Sequence, residues 1–283
     1  GRSGTGALDD SVRLCGFLYR NLAAITEVVV TLDTHQAFQI FHAPFLVDTD
    51  GRHPDPFTLV TPEDVAARRW RIDPAAAELV GFGQGHADAH LSSYVSTLAS
   101  TGKYDLTVWP FHALLGGIGH ALVSAVEEAI FFHAIARRAQ TRFELKGRSP
   151  LTEHYSALGP EVLRGAQGEV LGRRNEALVA HLLGFDAVLV AGQAKSHCVA
   201  WTIDDLLGDP AASELGAVQR LYLLEDCMSS VVVPDVVDYT DEADAAFVRF
   251  ADAGAHVVRS TEPLTFWPGP IGAALAGRTG SAL

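Results

Sequence analysis

The sequence predicts an α/β protein: a three-layer α/β/α architecture of the Rossmann-like kind, with a mostly parallel central sheet. Three observations lead there. Short β-branched or apolar runs ("EVVVTL", "AVLVAGQA", "RLYLLED", "HVVRS") recur along the chain. Segments of helical period separate most of them. A strand followed by a helix and another strand favours parallel pairing with helices on both faces. The chain has 283 residues and is 48% hydrophobic, which is enough apolar material for a sizeable core.

Taken in order, residues 9–24 ("DDSVRLCGFLYRNLAA") read as an amphipathic helix opened by acidic residues. Residues 27–32 are a buried strand because the run is β-branched. Residues 33–60, rich in His, Pro, Asp and Phe, lack a period and read as a long loop. Thr61 is placed as an N-cap with Pro62 at the first helical position. A helix is expected over 86–101, a strand at "LTVW", a long helix over 121–139 and a strand at "RFEL". The helix "NEALVAHLLG" follows, then the strand "AVLVAGQA" and the helix "SHCVAWTIDDLLG". The strand "RLYLLED", the helix "DEADAAFVRFADAG" and the strand "HVVRS" complete the pattern. From about Thr261 the composition turns to Pro and Gly and predicts a tail wrapping the surface. No linker interrupts 1–283, so a single domain is expected, with 43–103 as an insertion on the loop side. A first strand is expected upstream of the opening helix.

Composition excludes several functions. A net charge of -13 disfavours nucleic acid and anionic membrane surfaces as partners. No apolar run approaches the roughly 20 residues that span a bilayer, and the polar start "GRSGTGALDD" is no signal peptide. Three widely spaced cysteines make no disulfide framework. The expectation is a soluble, cytoplasmic protein that acts on a small molecule, as a homo-oligomer.

Ligands in open parallel sheets bind at the carboxyl ends of strands. Four polar stretches take such places: "LDTH", "WPFHALLGGIGH", "LKGRSPLTEHYS" and "GQAKSHC". Cys198 falls in the first turn of a helix, where the partial positive charge favours thiolate and unpaired N–H groups can receive an oxyanion. Cys15 and Cys227 lack that setting and are expected to be structural. Asp33 and His35 share one face of an extended strand, as a divalent metal requires. His112 supplies a third ligand and His42 is a fourth candidate, a set suited to Zn²⁺, Fe²⁺ or Mn²⁺. Lys146, after "RFEL", could stabilise negative charge near a thiolate. His86, His90, His120, His133 and His154 have no comparable spacing and are expected to be structural or solvated.

These motifs resemble those of the isochorismatase-like cysteine hydrolases, the nicotinamidase branch in particular, from about Glu27 to Ser260. "GQAKSHCVAWTIDD" is similar to the Gly-x-Ala-x-x-x-Cys-Val-x-x-Thr nucleophile motif, "LDTH" to the metal-binding Asp-x-His, and "VWPFH" to Trp-Pro-x-His. "LKGRSPLTEHYSAL" is similar to the Lys-Gly segment ending Tyr-Ser-x-Phe, with Leu158 in place of Phe. The resemblance implies an amidohydrolase acting on linear amides, with an Asp-Lys-Cys triad to which Lys146 and Cys198 match. The aspartate of that triad closes a first strand in the pattern Asp-x-Gln-x-x-Phe; Asp9 and Asp10 do not fit it. The resemblance further implies a cis Gln193–Ala194 bond, an oxyanion hole from the Ala194 and Cys198 N–H groups, and a pocket lined by Trp109 and Tyr155. Nicotinamide-like carboxamides are the expected substrates. Ureido or N-carbamoyl compounds, isochorismate-like vinyl ethers and a catalytically silent binding protein stand as alternatives.

Overall fold

The structure, a computed structural model, describes residues 1–279. In chain order its elements are α1 (Gly6–Arg20), β1 (Val29–Asp33), β2 (Leu46–Val47), β3 (Leu59–Val60), α2 (Pro62–Ala66), β4 (Arg71–Ile72), α3 (Pro74–Leu79), α4 (Gln84–Ser100) and β5 (Leu106–Thr107). They continue with α5 (Ser124–Arg137), β6 (Arg142–Lys146), α6 (Glu176–Leu183), β7 (Val188–Val190), α7 (Ala200–Leu207), α8 (Pro210–Glu214), β8 (Leu221–Leu224), β9 (Val232–Val233), β10 (Val237–Asp238), α9 (Thr240–Asp252), β11 (His256–Val258) and α10 (Gly269–Thr279). No helix among the described residues is long and apolar enough to cross a membrane.

The chain folds as two compact units. One comprises Gly1–Val30, Val123–Arg142 and Asn175–Leu283; the other comprises Thr31–Leu122 and Phe143–Arg174. Each unit is assembled from separate stretches of sequence, so no linker composition marks the division. The boundaries fall inside β1 and β6, which pair with each other. Hydrogen bonds from Arg142 N–H to the Val28 carbonyl (3.2 Å) and from Thr34 N–H to the Lys146 carbonyl (2.7 Å) run in the parallel sense.

The first unit is the α/β body. Its sheet has the order β11-β8-β7 and is parallel throughout, with Leu223 of β8 opposite Val190 on one side and Val257 on the other. β8 is central, and all four residues of "LYLL" are buried. Each such apolar side chain contributes about 1.5–3 kcal/mol. β7 is an edge strand among the described residues and stays half-buried. The expected surface tail behaves differently. Trp267 is buried and stacks on Phe17 of α1 (5.7 Å) and on Tyr222 of β8 (5.6 Å), and α10 follows it. Burying one large indole outweighs the loop-forming bias of the neighbouring Pro and Gly residues.

The second unit contains the segment expected to be an insertion. That segment carries its own core: Phe45, Leu46, Val60, Ile72, Leu91, Tyr94, Val95 and Leu98 pack with Ile40, Phe41 and Val108. The antiparallel pairs β2–β4 and β3–β5 lie here. The expected long loop therefore contains two strands of two residues each, Leu46–Val47 and Leu59–Val60, too short to show a period. Thr61 caps α2 as expected, in a reciprocal capping box with Asp64.

Candidate functional site

In the second unit, β1 ends at Asp33, and the chain runs on through His35, a bend at Ala37–Phe38 and a turn at Ile40–Phe41 to His42. The extension is held on two sides. His35 N–H bonds the Ala113 carbonyl (3.0 Å), and Leu115 N–H bonds that of His35 (2.9 Å). On the other side, Gln39 Nε2 donates to the carbonyls of Gly147 (2.7 Å) and Ser149 (2.9 Å), while its Oε1 accepts Gln36 N–H (2.9 Å). Gln39 is fully buried. Nothing in its sequence context marks this role, because both carbonyl partners lie about a hundred residues away.

This zipper brings ligand atoms of Asp33, His35 and His112 within 4.8 Å of one another. The histidine tautomers are prepared for a cation. His35 Nδ1 is 3.2 Å from the Gly147 carbonyl, and His112 Nδ1 is 2.8 Å from that of Pro110. A proton held on Nδ1 by a carbonyl leaves the Nε2 lone pair as the ligand. His42 follows the same rule: Nδ1 lies 2.9 Å from the Gln36 carbonyl, and Nε2 is buried with no hydrogen-bond partner. Its ring centroid stands 6.1 Å from that of His35 and 6.0 Å from that of His112. Burial pushes both His35 and His42 down to about 4, so both are neutral near pH 7. A set of imidazole nitrogens and one carboxylate with aligned lone pairs fits a borderline divalent ion.

Gly147 is required where it stands. Its φ is +82°, and a Cβ there would come within 2.7 Å of the His35 ring.

Lys146 closes β6 and is buried. Its ammonium bonds the Asp33 carboxylate and donates to the His154 carbonyl (2.8 Å). Burial alone would raise the Asp33 carboxyl; the Lys146 charge outweighs it and holds the group below the usual carboxylate range. The sequence expectation aimed Lys146 at a thiolate; its ammonium here holds a candidate metal ligand, Asp33. Beside it, Glu153 is buried with its Oε1 on His154 N–H (2.8 Å), and burial pushes this carboxyl up to about 8. Sequence reasoning passed over Glu153, which looks like an ordinary acidic residue in a polar loop.

Trp109 and Tyr155 meet. The indole N–H donates to the Tyr155 hydroxyl (2.8 Å), and the rings are perpendicular. The Trp109 ring centroid lies 6.4 Å from that of His112. Leu158, standing where an aromatic residue was the pattern, is fully buried. His120 and His154 are not idle: the Thr34 hydroxyl is 2.9 Å from His120 Nε2, and Gly147 N–H donates to His154 Nδ1 (3.2 Å). His133, in the other unit, is structural, with Nε2 on the Ile25 carbonyl (3.0 Å).

In the first unit, Cys198 lies where the chain leaves β7 and enters α7. The expected first α-helical turn is a π-helical turn over Lys195–Val199, in which Val199 N–H reaches the Ala194 carbonyl (3.2 Å). Such one-turn widenings recur at functional sites. The Gln193–Ala194 bond is cis. The turn is anchored from several elements. Lys195 N–H bonds the Ser229 carbonyl (2.9 Å), and the Ser196 hydroxyl accepts Val231 N–H (3.0 Å) and lies 2.8 Å from His197 Nδ1. The Thr202 hydroxyl donates to the Cys198 carbonyl (2.6 Å). Asp10 of α1 is 3% exposed and accepts from Gln193 Nε2 (2.7 Å), the Ser229 hydroxyl (2.6 Å) and Arg13 (2.8 Å). Asp10 is no member of the expected triad, but it holds the segment in front of Cys198. Cys227 is buried and its thiol pushed up to about 11 by that burial, as a structural cysteine should be.

No family model and no curated protein matches the chain. Solved structures do. The yeast nicotinamidase Pnc1p is 17% identical with a TM-score of 0.51, over 90% of this chain and 89% of that one. An Acinetobacter baumanii nicotinamidase is 18% identical with a TM-score of 0.50, over 89% and 86%. This likeness shows the fold, an α/β fold of the isochorismatase-like kind.

Proposed function

We propose that the chain is a cysteine hydrolase that cleaves the amide C–N bond of a small, nicotinamide-like carboxamide. The observation that carries this reading is the convergence of Asp33, His35 and His112, with tautomers set for a cation, beside the Trp109–Tyr155 wall. The placement of Cys198 at the turn after a parallel strand supports it independently, since such turns carry nucleophiles. The named activity of the fold neighbours points the same way.

In this chemistry the Cys198 thiolate adds to the carboxamide carbon. The negative charge gathers on oxygen, where the Ala194 and Cys198 N–H groups are assigned to receive it. Ammonia leaves with a proton, an acyl thioester remains, and water cleaves it to the carboxylate. A divalent ion held by Asp33, His35 and His112, with His42 as fourth candidate, would supply a Lewis acid for a ring nitrogen of the substrate. Lys146 fixes the Asp33 carboxylate and keeps positive charge at the end of β6. Trp109 and Tyr155 give a flat aromatic surface that orients a ring.

The test is ammonia release from a panel of small amides, with nicotinamide first. Cys198→Ala should abolish turnover by several orders of magnitude while leaving the thermal melt in place. Near-normal release by that variant overturns the covalent route. Ammonia release from no amide, with hydrolysis of a ureido compound instead, moves the reading to that substrate class.

A further inference from the structure

A second cluster of ligating side chains lies in the second unit, away from Asp33, His35 and His112. His86 and His90 are four residues apart on α4, so both imidazoles lie on one helix face. The Glu169 carboxylate faces them from the turn after Arg164. Its Oε1 is 2.8 Å from His86 Nε2 and 3.9 Å from His90 Nδ1.

His90 and Glu169 are oriented by contacts made away from the point where the three groups converge. His90 Nε2 sits 3.0 Å from the Leu151 carbonyl, which places its proton there and leaves a lone pair on Nδ1. That Nδ1 is buried and has no hydrogen-bond partner, and the side chain is 1% exposed. The other Glu169 oxygen accepts Gln167 N–H (2.9 Å), which turns Oε1 toward the histidines. Gly165 makes room for this, since a Cβ there would stand 2.3 Å from the carboxyl carbon. Phe82 stacks on His86 (3.8 Å) and meets His90 edge-on (5.7 Å), fixing both rings.

The arrangement is unbalanced as a purely hydrogen-bonded one. A buried nitrogen lone pair and a carboxylate oxygen face each other at 3.9 Å with no proton between them. An unsatisfied buried polar atom costs about 1–3 kcal/mol. A cation removes that cost and attracts both atoms. Donors around a tetrahedral ion with 2.0–2.2 Å bonds stand about 3.4 Å apart. The 2.8 Å and 3.9 Å separations lie on either side of that value, with Glu169 Oε1 between the two nitrogens that would share an ion with it. When His86 moves its proton to Nδ1, its Nε2 becomes a ligand without net change in charge.

We infer that His86, His90 and Glu169 form a second divalent-metal site, of the borderline class that takes two imidazoles and one carboxylate, with Zn²⁺ or Co²⁺ as occupants. Bound there, the ion pins α4 to the turn that carries Glu169. Through the Leu151 carbonyl it also steadies the stretch between Lys146 and Tyr155.

The experiment counts ions on the full chain after chelator treatment and dialysis against Co²⁺ or Zn²⁺. It is done first in His35→Ala/His112→Ala, which leaves the other cluster only Asp33 and His42 of its candidate ligands. One ion per chain should remain there, and Glu169→Gln added to it should remove that ion or weaken it more than about tenfold. The visible spectrum of Co²⁺ should show tetrahedral absorption in the first protein and lose it in the second. Thermal melts without metal check that each variant folds. If Glu169→Gln does not, His86→Gln takes its place, since His86 lies nearer the surface. No ion on the folded His35→Ala/His112→Ala protein, or an ion that survives both Glu169→Gln and His86→Gln, overturns the inference.

Discussion

At the scale of single residues, the site's chemistry depends on side chains whose partners are carbonyls of distant backbone. Gly147 is the sharpest case. Gly147→Ala forces an L side chain to φ +82° and drives its methyl into the His35 ring. Metal affinity at Asp33, His35 and His112 should fall about 10–100-fold while most of the fold survives, which a Co²⁺ titration reads directly. Gln39→Ala removes two hydrogen bonds to the same backbone and should act in the same direction. The convergence of Asp33, His35 and His112, and the place of Cys198 between a strand and a helix, were legible in the sequence because each pattern is local. Gln39, Glu153 and the pairing of His86 and His90 with Glu169 were not, because their partners come from far along the chain.

At the scale of elements, α1 does more than its amphipathic pattern announces. It begins at Gly6, earlier than the acidic residues suggested, and buries Asp10 against the segment that precedes Cys198. Asp10→Ala leaves Gln193 Nε2 and the Ser229 hydroxyl without this acceptor and leaves Arg13 only the Asp226 carbonyl. It should cost about 1–3 kcal/mol, read as a lower urea midpoint, and should lower turnover by misplacing the Cys198 turn. At the other end of the chain, Trp267→Ala should cost about 3–5 kcal/mol by emptying the stack between Phe17 and Tyr222. The strand–helix alternation of the α/β body was readable from period and length. The strands of 43–103 were not, since two residues carry no period and their order comes from the core beneath them.

At the scale of the whole molecule, buried titratable groups set the pH range of stability. Burial holds His154 and His197 down to about 3, against an ordinary value of 6.5. Their contribution is complete above 6.5 and is lost as pH falls toward 3, because the unfolded chain takes up protons that the folded chain refuses. Glu153 works oppositely. Held up to about 8, it contributes fully below its ordinary value of 4.5, and the contribution is lost as pH rises through 8. Two histidines outweigh one carboxyl between 4.5 and 6.5, so stability from these groups should peak near pH 6.5. Urea melts from pH 4 to pH 9 check the curve, and Glu153→Gln should flatten the fall between 6.5 and 8 and steepen the rise between 4.5 and 6.5.

The central claim is a covalent thioester on Cys198. The most direct measurement is acid quenching of the working enzyme with a cleavable amide, followed by intact and peptide mass spectrometry. The predicted result is one acyl group per chain, on the peptide that contains Cys198, that forms and decays with turnover and is missing in Cys198→Ala. Steady ammonia release with no adduct at any quench time, undiminished in Cys198→Ala, would contradict it.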